Sequence, residues 1–95
     1  MNLKSALAAM GLLVGGQAIA CAPPQAPSSI PDGRTAGKET MLAKKKEIDR
    51  YKLQVEEYLT CEINPVRAKT AQAELDRVAN RFNTEVRAFK AANGG

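Results

Sequence analysis

The sequence predicts an all-α fold: an antiparallel two-helix hairpin with an extended, proline-rich N-terminal arm packed on it, all of it following a cleavable signal peptide. Three observations lead there. Apolar residues recur every seven positions in two long stretches, Lys38 to Cys61 and Pro65 to about Ala92. An Asn64-Pro65 break separates the two stretches. Four prolines fall between Ala22 and Gly37, which has no helical periodicity.

Size sets the first constraint. The chain has 95 residues, and its first twenty read as a removable leader. A domain of that size has a core worth only about 3–5 kcal/mol, so a covalent staple or a partner is expected. Cys21 and Cys61 are the two cysteines. There is no histidine or tryptophan, which leaves Leu, Val, Ile, Ala, Met and four aromatic rings to form the core.

Met1 to Ala20 has the three parts of a secretory signal: the charge of Lys4, an apolar run from Ala6 to Val14, and the small residues Ala18 and Ala20 at a cleavage site. The run is too short to span a bilayer stably, which takes about 20 apolar residues. Cleavage after Ala20 makes Cys21 the new N-terminus and leaves two readings. In one, Ala18-Ile19-Ala20 is a plain cleavage site, the protein is periplasmic and Cys21 pairs in a disulfide. In the other, Cys21 is acylated and the protein is a membrane-anchored lipoprotein. A lipoprotein signal normally carries a large aliphatic residue three positions before the cysteine, and Ala18 stands there, which favours the first reading.

The arm, residues 21–37, should be extended, largely polyproline II, with a turn at Pro31-Asp32-Gly33. Pro24, Pro27 and Ile30 recur every three residues, the polyproline II repeat, so they share one edge. That edge is expected to pack on the helices.

The first helix is expected over about 38–62, with Thr35 or Gly37 as a weak N-cap. Met41, Ile48 and Val55 recur every seven residues, as along a coiled-coil seam, and Tyr51 and Tyr58 fill the intermediate position. Lys44 interrupts the stripe, where a long stem can lie on apolar surface while its charge stays wet. Leu42, Leu53 and Leu59 lie off the stripe, and they suggest further apolar faces, one for the partner helix and another for the arm. Asn64 is placed to cap the second helix and Pro65 to begin it. Along that helix, over about 65–92, Ala68, Leu75, Phe82 and Phe89 repeat the spacing, with Ala71, Val78, Ala79 and Val86 between them. The short connection makes the helices antiparallel neighbours.

A disulfide between Cys21 and Cys61 is within reach. The first helix is about 36 Å long at 1.5 Å per residue, and the arm can extend about 50 Å at 3.1 Å per residue. It can therefore turn near Gly33 and run back along the helix, with Pro24, Pro27 and Ile30 close to Tyr58 and Tyr51. The pattern Cys21-Ala22-Pro23, Ile30-Pro31-Asp32-Gly33-x-Thr35-Ala36, Lys38-Glu39-x-Met41 and Tyr58-Leu59-x-Cys61 resembles a group of small secreted proteins of Gram-negative bacteria, mostly of unknown function. The resemblance covers Cys21 to about Phe89. It implies a periplasmic protein with paired cysteines and brings no activity, cofactor or catalytic residue with it. Gly37 stands where that group has a polar residue capping the first helix.

The composition argues against an enzyme. Histidine, the usual general base and commonest metal ligand, is absent, and cysteines 40 positions apart form neither a redox motif nor a zinc half-site. Glu56-Glu57 and Glu47/Asp49 diverge around a helix. No catalytic, cofactor-binding or metal site is expected. Without Lys4 the chain holds 13 basic and 10 acidic residues, an excess too weak for a nucleic-acid binder. The expected role is a non-enzymatic interaction or structural module stapled by Cys21 and Cys61, with a protein or envelope component as its partner. Apolar helix faces also permit self-association, and membrane attachment follows only if Cys21 is lipidated.

Overall fold

The structure, a computed structural model, describes residues 21–94. The expected signal segment and its cleavage residues Ala18 and Ala20 lie outside the described residues. Two helices, α1 (Lys38–Cys61) and α2 (Pro65–Ala92), form an antiparallel hairpin. The seven-residue spacing accounts for what they bury. All five stripe residues of α1 (Met41, Ile48, Tyr51, Val55 and Tyr58) are buried, and Val55 is fully enclosed. All but Tyr58 join Leu75, Val78 and Phe82 of α2 in one cluster, with Ala71, Val86 and Phe89 partly buried around it.

The helix ends follow local chemistry. Gly37 precedes α1 and gives no side-chain cap. Asn64 caps α2: its Oδ1 accepts from the backbone N–H of Val66 at 2.9 Å and of Arg67 at 3.2 Å, and Pro65 opens the helix where its missing N–H costs nothing. Lys44 keeps only 15% of its side chain exposed, and its ammonium meets Glu47 at 2.8 Å. Its stem is covered, as its place in the stripe suggested, and its charge is paired as well.

Residues 21–37 lie along the seam between the helices. Ala26, Ile30 and Ala36 pack on the core cluster, while Pro24 and Pro27 are half-buried. The segment is fastened at both ends. At one, Cys21 and Cys61 form a disulfide with a Cα–Cα distance of 5.8 Å. At the other, the Asp32 carbonyl accepts from Thr35 and Ala36 N–H in a tight turn, and the turn sits directly on α2. The Gly33 N–H donates to Glu85 Oε1 at 2.8 Å. A Cβ on Gly33 would stand 1.8 Å from the Glu85 carbonyl oxygen and 2.9 Å from the Phe89 nitrogen. Glycine is required here by close approach to a helix backbone, since its φ is not positive.

One expectation changes. Leu59 packs on the core, but Leu42 and Leu53 are 48% and 61% exposed. Because Ala26 and Ile30 reach the same cluster that joins the helices, the arm needs no second apolar face on α1.

Two substitutions test the fastening. Gly33→Ala forces the turn off α2 and should cost about 1–3 kcal/mol, as overpacking does, read as a lower thermal midpoint with helical circular dichroism retained. Cys61→Ser opens a loop of sequence separation 40. On chain-entropy grounds it should cost roughly 4 kcal/mol, measured by denaturant titration. An unchanged midpoint in either variant would show that its end of the arm holds nothing.

Candidate functional site

The arm's disulfide end and the start of α2 enclose a groove of about 370 Å³. Pro23 and Pro24 form one wall, Val66 and Ala71 the other, and Tyr51 and Tyr58 lie between them. Arg67 and Glu74 bring one charge of each sign to it. These residues come together because Tyr51 and Tyr58 are one α1 repeat apart, α2 returns antiparallel beside them, and the disulfide holds Pro23 and Pro24 over the seam. Residues from three segments thus share one recess.

The floor is positioned from below by a polar clamp at the hairpin corner. Glu62 accepts from the Tyr58 hydroxyl at 3.0 Å through Oε1 and from the Asn64 backbone N–H at 2.9 Å through Oε2, which Arg67 also approaches at 3.7 Å. The Asn64 N–H first, then the Tyr58 hydroxyl and the Arg67 guanidinium, hold the Glu62 carboxyl below its usual range against the opposing effect of burial. Burial and the bond to Glu62 push the Tyr58 phenol up. Burial, reinforced by Glu74, does the same for Tyr51.

The two tyrosines differ in one respect that matters for recognition. Tyr58 spends its proton on Glu62, whereas Tyr51, 3% exposed, makes no hydrogen bond among the described residues. Its hydroxyl is therefore the donor that an acceptor entering the groove beside Glu74 can engage. The groove therefore offers proline and tyrosine surfaces for an apolar or ring-bearing group, a protonated phenol as donor, and a charge of each sign.

The residues singled out from sequence are distributed as follows. Cys21 and Cys61 are bonded, and Pro24, Tyr51 and Tyr58 line one groove. Ile30 packs on the core cluster with Tyr51, while Pro27 is half-buried. Glu62, Val66 and Glu85 were not anticipated. Glu85 meets its i,i+4 neighbour Arg81 at 3.6 Å through one oxygen, and its other oxygen clips the arm. The acids set aside as surface groups behave as such: Glu47 and Asp49 pair with Lys44 and Lys45 along α1, and Glu56 and Glu57 are exposed.

Among the described residues no helix is long and apolar enough to cross a membrane. The chain matches no family model, and no curated protein or solved structure is significantly similar to it.

The lowered carboxyl of Glu62 makes the clamp sensitive to acid. A depressed folded-state value means that its stabilisation is fully present above the ordinary glutamate range and is lost as pH falls through the lower folded value. Glu62→Gln should therefore lower the thermal midpoint at pH 7, and the gap to the parent chain should close as pH drops below about 4. A gap of constant size from pH 7 to pH 3 would show that the ionised carboxylate is not what Tyr58 and Asn64 recognise.

Proposed function

We propose that this chain is a secreted, periplasmic, non-enzymatic interaction module: after removal of Met1–Ala20, a disulfide-stapled helical hairpin whose arm completes a tyrosine–proline groove for a protein or envelope component. The observation that carries this reading is the Cys21–Cys61 bond, which fixes two prolines over Tyr51 and Tyr58. Such bonds persist in oxidising compartments, in keeping with the secretory signal read in the sequence. The same bond bears on the lipoprotein alternative. A thioether-linked lipid would occupy the Cys21 sulfur, and that sulfur is the one joined to Cys61. Binding fits the groove's chemistry, since its polar groups include a protonated phenol, the Thr70 side chain and a rim of opposite charges, with the Glu62 carboxylate engaged in holding Tyr58.

The test uses the full chain expressed with its leader and recovered from the cell envelope. Its intact mass should correspond to a chain starting at Cys21 and lighter by two hydrogens. A photo-crosslinking residue at Val66, which is 72% exposed and lines the groove, should yield a discrete adduct, and one at exposed Arg50 should not. An acylated mass would replace this reading with the lipoprotein. Equal crosslinking from both positions would remove the groove from it.

A further inference from the structure

A second groove lies at the other end of the hairpin, where α1 begins and α2 ends. Met41, Phe82, Val86 and Phe89 form its floor, Leu42 its lip, and its volume is about 360 Å³. That is within the range of about 300–1,000 Å³ typical of small-molecule sites. No arm residue lines it.

Every charged side chain at its mouth is cationic: Lys38, Lys45 and Lys90. Lys45 is paired with Asp49 at 2.8 Å, but among the described residues Lys38 and Lys90 have no ion-pair partner. The surroundings have the same sign. Residues 32–49 and 81–93, which the hairpin gathers at this end and which include the ion-pair partners of Lys44 and Lys45, carry eight basic and five acidic side chains, a net charge of +3. Residues 50–80 carry five of each, a net charge of zero. The backbone adds no net charge, because the positive N-terminal end of α1 lies beside the negative C-terminal end of α2, so the positive sign comes from the side chains alone.

Shape decides among anionic occupants. Met41 and Phe82 are only 6% and 7% exposed, so the opening is a slot and not a flat patch. A stable dimer buries about 800 Å² per partner, far more than such a slot presents. A bilayer is entered by projecting apolar side chains, and in this groove only Leu42 projects. We propose that the groove binds a single-chain anionic amphiphile, with its alkyl chain along Met41, Phe82 and Phe89 and its acidic head between Lys38 and Lys90. This goes beyond the partner groove beside the arm. It uses other residues at the opposite end, so the failure of either site leaves the other standing.

The oxidised mature chain is titrated calorimetrically with dodecanoate below its micellar concentration, with the uncharged monododecanoyl glycerol, and with phosphatidylglycerol vesicles. Dodecanoate should bind one per chain and about tenfold more tightly than the glyceride, with the advantage shrinking as salt rises. Lys38→Glu combined with Lys90→Glu should weaken dodecanoate about tenfold. Leu42→Asp should do likewise, while Leu53→Asp, also exposed but outside the groove, should change nothing. No binding, equal affinity for the two amphiphiles, or equal effects of the two leucine variants would overturn the proposal. Binding to vesicles alone would overturn it too, and would make this end a membrane-docking surface.

Discussion

The structure depends on an arm fixed at both ends of one hairpin. A covalent bond sets its position at Cys61, and a glycine with no room for a Cβ sets it on α2 at Glu85. Between those points its register is determined, so Ala26 and Ile30 meet the seam and Pro24 meets the tyrosines. Two helices alone leave both sides of their seam open to water. The arm closes one side with few residues, because extended chain covers about 3.1 Å per residue where a helix covers 1.5 Å.

Much of this was legible. The α1 stripe could be read because period seven persists through Met41, Ile48 and Val55, and each of these, with Tyr51 and Tyr58, is buried. The corner could be read because Asn64-Pro65 combines a cap with a residue suited to a first turn. The cysteine pair was one of two readings of Cys21, favoured by a small domain's need for a staple and permitted by the arm's reach. What escaped depends on contacts between distant segments. Asp32-Gly33 signals a turn in any sequence, but only the docked turn shows that Gly33 is there because a helix backbone lies against it. Glu62 and Glu85 have the look of surface acids until Tyr58 and Gly33 arrive beside them. The aromatic groove was half visible, since Pro24, Tyr51 and Tyr58 were already grouped. Val66 and Ala71 joined them only once α2 was laid alongside. Leu42 and Leu53 misled because an apolar residue off the stripe says nothing about what will cover it.

The two grooves share an origin. Antiparallel helices leave a furrow on each side of their seam, and the arm occupies one of the two. On the side that it occupies, it supplies a wall and the site becomes composite. On the other side, the furrow stays a property of the helices alone, and its character follows from which residues the hairpin brings to that end. The lysines of α1's first turns and the last turn of α2 are far apart in the chain but adjacent in space. The excess of positive charge in the described residues is therefore gathered at one end of the hairpin.

The cysteine bond also partitions the chain mechanically. Pulled from Cys21 and from the end of α2, tension would pass from Cys21 straight into Cys61 and bypass everything between them. The arm and α1 form a closed ring that such a load cannot lengthen, and α2, outside the ring, is the part that can be drawn out. Under such a load the molecule would yield α2, and with it the seat of Gly33 on Glu85, while the covalent ring of arm and α1 keeps its two segments tethered for refolding.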